Sequence, residues 1–339
     1  MKKLACLSVA VALLALIAGG TTPAPVDAQA KPIVWNLPHV AAPTYYHTVN
    51  LNAFAAKVKE KSAGRMEIRV HPASSLYPQQ EILPSLLDGR SEIGPVLSGY
   101  LTDVLLELGV LELPFMTASL EEHRRAQQQL KPFFTEQLGK KGLKLLTSHA
   151  WPSQQVFSHQ PIRTIADWKG KKIRVYGADS SNITRSLGGV PVNIPFGELY
   201  TALEKKTVDG AITSATNAEP MKFFEVSKII NYWFLAGASG EWLVVNQKAW
   251  DGLAKDLQQV VLDSLKDVRF EDKEWEDAKA FEERALKRFP EIGMTVVNPS
   301  KEEIEKARTL SRAAWDTWLS RSGADGKRGM ELALKALGR

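Results

Sequence analysis

From Leu253 to Phe289 the chain holds neither glycine nor proline, and this stretch limits what the protein can fold into. Leu257, Val260, Val261, Leu265 and Val268 recur at helical spacing with charged residues between them, the pattern of an amphipathic helix. At about 1.5 Å per residue, a single straight helix over this span would reach roughly 55 Å, longer than an ordinary domain is wide. The stretch therefore forms either two helices with a kink or one helix running across two domains. A second amphipathic segment, Lys301 to Leu319, carries Ile304, Leu310, Ala314, Trp315 and Trp318. Its tryptophans suit core or interdomain packing better than ligand contact.

Elsewhere short apolar runs alternate with helical periodicity. Lys31 to Leu37 reads as a buried strand, and His47 to Lys61 as a helix carrying Leu51, Phe54, Ala55 and Val58, closed by Gly64. Arg65 to His71 alternates, with Met66, Ile68 and Val70 on one face, and Pro72 stops it. Ile82, Leu83, Leu86 and Leu87 mark a further helix ending at Gly89, followed by the apolar run Ile93–Leu97. A helix from Ser119 to about Leu138 and a strand at Leu143 to Leu146 repeat the pattern. Strands and helices in alternation predict an α/β fold with helices on both sheet faces.

The first thirty residues set the compartment. Lys2 and Lys3 precede the apolar run Leu4 to Ala18, too short to span a bilayer, and Ala28-Gln29-Ala30 is a small-residue cleavage site. Cleavage after Ala30 predicts an exported protein, periplasmic in a bacterium. Cys6 is the only cysteine, so the remaining chain has no disulfide and no cysteine metal site. It has 309 residues (339 minus 30), enough for two domains. Its net charge falls from +5 to +4 when Lys2, Lys3 and Asp27 leave, and basic and acidic residues are interspersed. That distribution argues against nucleic acid as a partner.

Catalytic motifs are missing. The six histidines, at 39, 47, 71, 123, 149 and 159, form no His-Glu-x-x-His or closely spaced pair, and His39 and His47 can meet only through the fold. The expectation is no metal and no cofactor. Gly237-Ala238-Ser239-Gly240 is not a nucleophile elbow, no Walker or G-x-G-x-x-G motif occurs, and pairs such as Glu282-Glu283 suit a solvated helix face. This favours binding over catalysis.

One arginine stands out. Arg174 sits in an apolar run, flanked by Ile173, Val175 and Tyr176 and closed by Gly177, that reads as an internal strand. A guanidinium cannot shed its charge, so such a position needs an anion. Two readings are open: a structural ion pair with an Asp or Glu of the same domain, or a planar fork awaiting a ligand carboxylate.

The blocks Asp167-Trp168-Lys169-Gly170-Lys171-Lys172-Ile173-Arg174-Val175, Pro195-Phe196-Gly197-Glu198-Leu199-Tyr200-Thr201-Ala202-Leu203 and Val208-Asp209-Gly210-Ala211 resemble one family. So do Phe54-Ala55 through Ser62-Ala63-Gly64-Arg65, Leu113-Pro114-Phe115 and Phe224-Glu225-Val226-Ser227-Lys228. That family is the extracytoplasmic solute-binding proteins of TRAP transporters, the C4-dicarboxylate (DctP-like) class. The order and spacing of these blocks cover nearly all of the chain after residue 30.

The resemblance implies a two-lobed periplasmic binding protein-like α/β fold with a long helix spanning both lobes. It places a leader at 1–30, one lobe at 31–151 plus 240–279 and the other at 152–239 plus 280–339. It implies that Arg174 binds a solute carboxylate and that Phe196 packs on the solute. Gln154 stands where sialic-acid members have a second arginine, twenty residues before the first. Thr213 or Ser214, or else Asn217, must replace the asparagine of the family's Glu-Asn-Pro run. Ile212-Thr213 also departs from the Glu and Trp of a cation-binding subgroup. Trp151, Trp242 and Tyr46 are candidates to surround the ligand, Trp242 equally suiting the core. His39 and Ser98 are candidates because each ends a strand at the cleft side of an open α/β sheet.

These features predict a monomeric periplasmic receptor for a small organic acid, working with integral membrane TRAP subunits. One arginine among neutral partners suits a monocarboxylate, aromatic or 2-hydroxy/2-oxo. The alternatives are a dicarboxylate on the same fold, a periplasmic hydrolase or lyase, and a sensory receptor.

Overall fold

The computed structural model describes residues 31–101 and 104–339; the leader read at residues 1–30, Cys6 included, lies outside the described residues. The strands are β1 (Ile33–Pro38), β2 (Met66–His71), β3 (Ile93–Leu97), β4 (Leu143–Trp151), β5 (Gln154–Ser158), β6 (Lys172–Val175), β7 (Val190–Asn193), β8 (Gly210–Ser214), β9 (Ile229–Ala236), β10 (Ser239–Asn246) and β11 (Thr295–Val297). The helices are α1 (Tyr46–Lys61), α2 (Gln79–Asp88), α3 (Leu120–Lys140), α4 (Ala178–Ser186), α5 (Leu199–Glu204), α6 (Phe223–Val226), α7 (Gln247–Asp251), α8 (Lys255–Asp267), α9 (Phe270–Glu291), α10 (Lys301–Leu310) and α11 (Arg312–Ala336).

β1 and β2 pair in parallel across α1, as the opening β-α-β pattern requires. β10 lies antiparallel between β3 and β4. Its residues alternate between two cores. Trp242 and Val244 join the side chains of α2, α3 and α11, while Leu243 and Val245 join those of α1 and α8. The second sheet has six strands in the order β11-β9-β5-β8-β6-β7. Phe157, Ala211 and Ile230 face one of its cores, and Val156, Ile212, Trp233 and Ile173 the other. The period of two thus sorts each strand onto two faces, as a sheet covered on both sides demands.

The chain passes between the sheets at Pro152-Ser153 and at Gly237-Ala238. Gly237 is required where it stands. A Cβ there would lie 2.7 Å from both the Ser119 carbonyl and the Thr117 hydroxyl. The third connection is the glycine-free stretch, which breaks into two helices at Arg269, in the left-handed conformation with φ of 50°. The break lets α8 lay Leu257, Val261 and Leu265 on the first core while α9 sets off from Phe270 in that same core. Phe289, near the other end of α9, is buried in the second sheet's core. Lys301 to Leu319 is likewise not one helix. Ile304 and Ala307 of α10 pack on the six-stranded sheet, but α11 returns to the first core. There Trp315 and Trp318 donate their indole N–H groups to the carbonyls of Pro114 (3.0 Å) and Leu106 (3.2 Å).

Trp242 was a candidate for the pocket wall; it belongs to the core instead. It is 1% exposed, with its ring edge-on to Phe134 at 5.1 Å. Trp242→Ala should lower unfolding free energy by about 3–5 kcal/mol, read by urea denaturation. A loss below about 1 kcal/mol would contradict this placement.

Candidate functional site

The six-stranded sheet places Arg174 on an interior strand, between β7 and β8, both parallel to it. Its side chain crosses the carboxyl ends of those neighbours. Nε donates to the Ile194 carbonyl at 2.9 Å and Nη1 to the Ile212 carbonyl at 3.0 Å. These two bonds fix the guanidinium plane. Nη2 is buried without a partner, and among the described residues no carboxylate pairs with Arg174. The residue is 1% exposed, and burial lowers its pKa, a shift that nearby Tyr100 and Tyr176 oppose. Among the described residues this cation is therefore met by carbonyl dipoles and by the neighbouring Tyr100 and Tyr176, not by an ion pair. A buried charge so placed is costly unless an anion meets it.

Around it lies a cavity of about 410 Å³, counted out to the solvent at its mouth. It brings together seven of the residues singled out by sequence: Arg174, Gln154, Phe196, Thr213, Ser214, Asn217 and Trp151. Thr213 accepts a hydrogen bond from Asn217 Nδ2 at 3.0 Å, and Ser214 shares one with Thr216 at 2.8 Å, so the polar wall is held in place. Gln154 donates to the Pro152 carbonyl at 2.8 Å, which leaves its side-chain oxygen to the pocket. Trp151 donates its indole N–H to Glu241 at 3.0 Å and stacks on Tyr45 at 5.2 Å.

Sequence reasoning missed Tyr176, Tyr100 and Ser239 in this lining. Tyr176 was within reach, because it stands two residues beyond Arg174 and so on the same strand face. Its ring centre lies 5.6 Å from the guanidinium carbon. Tyr100 and Ser239 come from the other sheet and carried no local signal. Trp242 is in the core, as described above. Ser98 is buried beside the pocket rather than in its wall, although its neighbours Leu97 and Tyr100 line it. Tyr46 is turned away, packed on Tyr45 and Phe281.

His39 also lies elsewhere. Its Nδ1 meets the Thr48 hydroxyl at 3.1 Å, its ring is 6.1 Å from His47, and burial lowers its pKa to about 4. It borders a buried cluster that the fold assembles from four distant elements. His47 on α1 bonds Glu274 on α9, and His149 on β4 meets Glu241 on β10 at 2.9 Å. His39 and His47 do meet only through the fold, and His149 joins them, its ring 5.2 Å from that of His47, because α9 packs against both α1 and β4.

Behind the pocket, Glu112 accepts hydrogen bonds from the Ser239 hydroxyl (2.8 Å) and the Gly240 N–H (3.1 Å). Burial nonetheless pushes its carboxyl up to about 8, and Asp179 nearby is pushed up to about 6.

The model of the DctP family, described as bacterial extracellular solute-binding protein, family 7, matches residues 37–321. The C4-dicarboxylate-binding periplasmic protein DctP of Rhodobacter capsulatus is 27% identical over 306 residues, 87% of this chain and 86% of its own. Among solved structures, DctP6 of Bordetella pertussis, an extracytoplasmic solute receptor binding pyroglutamic acid, is 26% identical with a TM-score of 0.83, covering 89% of this chain and 99% of that one. The sugar acid binding protein DctPAm of Advenella mimigardefordensis, in complex with galactonate, is 25% identical with a TM-score of 0.82, covering 90% and 99%. Both solved relatives bind acids, and the curated one binds dicarboxylates.

The Glu112 carboxyl gives a pH signature. Its folded pKa of about 8 lies above the ordinary 4.5, so between those values folding takes up a proton and stability falls as pH rises. Glu112→Gln keeps the acceptor oxygen and removes the titration. Its thermal midpoint should match the parent near pH 5 and exceed it by a few degrees near pH 9. A midpoint difference independent of pH would contradict the raised carboxyl.

Proposed function

The chain belongs to the DctP family of bacterial extracellular solute-binding proteins, receptors of TRAP transporters, and on that premise we propose that it captures a small organic acid through one carboxylate. It is a solute-binding receptor and not an enzyme. The observation that carries the proposal is the unpartnered Nη2 of Arg174, a buried cation that no carboxylate among the described residues meets. A solute carboxylate meeting the free edge of the guanidinium would complete a charge-assisted pair worth about 1.5–3 kcal/mol.

Among the described residues, Arg174 is the only Lys, Arg, Asp or Glu in the pocket lining. A second carboxylate on the ligand would be desolvated there without a cation, at a cost of several kcal/mol. This supports a monocarboxylate over the dicarboxylates of the Rhodobacter relative. Trp151, Phe196, Tyr100 and Tyr176 offer flat apolar walls, which suit an aromatic or compact 2-hydroxy or 2-oxo acid. Gln154, Thr213, Ser214 and Asn217 supply neutral hydrogen bonds to its polar substituents. In this reading the leader at 1–30 exports the chain to the periplasm, where it acts as a monomer and delivers its solute to the integral membrane subunits.

Isothermal titration with pyroglutamate, galactonate, succinate and aromatic 2-hydroxy and 2-oxo acids tests the reading. A monocarboxylate should bind best, and Arg174→Ala should abolish that binding while leaving the circular dichroism unchanged. Undiminished affinity in that variant would sink the clamp.

Capture also implies closure of the two sheets on the solute. Gly177, after β6, packs its Cα against the carbonyl oxygen of Gly99, after β3, so that a Cβ at Gly177 would overlap that oxygen. Gly177→Ala touches no pocket residue's side chain, yet it should weaken solute affinity at least tenfold by holding the sheets apart. Equal affinity with an unchanged thermal midpoint would count against closure at this contact.

A further inference from the structure

We propose that His47, His149, Glu274 and Glu241 form a second site, separate from the solute pocket, that holds one divalent transition-metal ion, Zn²⁺ by donor chemistry. Ligand atoms of His47, His149 and Glu274 already lie within 4.8 Å of one another, and all three residues are buried. Four donors around Zn²⁺ stand about 3.3 Å apart at ordinary bond lengths, so only small side-chain movements separate this arrangement from a tetrahedron. Glu241 Oε2, 2.9 Å from His149 Nε2, supplies the fourth donor. Two imidazoles and two carboxylates are the mixed nitrogen and oxygen set that Zn²⁺ accepts, and four protein donors leave no open position, as in a structural site.

Charge makes the case sharper. Glu241 and Glu274 are 1% and 0% exposed, and among the described residues neither pairs with a Lys or Arg. Their two negative charges can be met by two protonated imidazoles or by one divalent cation. Protonating both rings places charged N–H donors at His47 Nε2 and His149 Nδ1, and each of those atoms is buried without a partner. A divalent cation neutralises the carboxylates while both rings stay neutral, which lowers the cost of those orphaned positions. The carboxylates are also oriented from outside, as ligands in metal sites are. Asn50 Nδ2 donates to Glu274 Oε1 at 2.9 Å, and the Trp151 indole donates to Glu241 at 3.0 Å. The ion would tie α1, β4, β10 and α9 together, next to a wall of the solute pocket.

Because the cluster is closed to solvent, loading is tested through refolding. The full mature chain is denatured and refolded with Zn²⁺, with Co²⁺ or with EDTA, then freed of loose metal. The expected result is one equivalent of Zn²⁺ retained by elemental analysis, a midpoint several degrees above the EDTA-refolded protein, and four-coordinate visible bands with Co²⁺. His149→Gln and Glu274→Gln should each lose the retained ion. The proposal is overturned if the refolded parent retains no metal and melts identically with Zn²⁺ and EDTA. It is equally overturned if both variants retain a full equivalent. Should the variants fail to fold, the parent's Co²⁺ spectrum decides: six-coordinate bands or none refute the site.

Discussion

A guanidinium that keeps its proton at any ordinary pH is buried at Arg174, and the architecture around the cleft depends on how that charge is met. Two main-chain carbonyls, one just after β7 and one within β8, take two of its N–H groups and fix its plane. Among the described residues no acidic side chain finishes the task. Had an aspartate been packed against it, the cation would be quenched and the cavity in front of it would have little to offer an acid. The free edge faces a lining of neutral polar and aromatic side chains, and the proposed capture of a carboxylate rests on it.

The acids nearby are arranged consistently with this. Glu112 and Asp179 are buried behind the pocket, yet burial drives both carboxyls upward, so at neutral pH Glu112 remains protonated and adds no competing negative charge. Glu241 is the opposite case. Burial would raise it, but the hydrogen bond to His149 and the imidazoles around it outweigh burial and hold its carboxyl well below the usual carboxylate range. The two environments differ in whether an imidazole is within reach, not in depth. Trp151 joins the two regions, with its ring in the solute pocket and its indole N–H on Glu241.

The long α9 helix ties these regions mechanically. It starts in the core of the first sheet at Phe270, passes Glu274 in the buried cluster and ends with Phe289 in the core of the second sheet. Its length, about 33 Å, suffices to cross from one core to the other. The preceding break at Arg269 uncouples α8, so that each helix can bury its own apolar stripe.

Local pattern alone placed β1 to β4 and α1 to α3 and put Arg174 on an interior strand, while Tyr176 went unread as a neighbour on its face. Those features depend on periods of two and 3.6 residues, which any short window displays. Sequence left open whether Arg174 had a protein anion and whether Leu253 to Phe289 kinks, and it read Lys301 to Leu319 as one helix when α10 and α11 serve different cores. It offered no sign that His47, His149, Glu241 and Glu274 meet, because the bonded pairs His47–Glu274 and His149–Glu241 lie 227 and 92 residues apart along the chain. Contacts across such distances are set by which sheet edges and helix faces pack together, and no local period encodes that choice. The sequence by itself determined that a charged fork would stand in a sheet; only the tertiary structure decided that no carboxylate among the described residues would fill it.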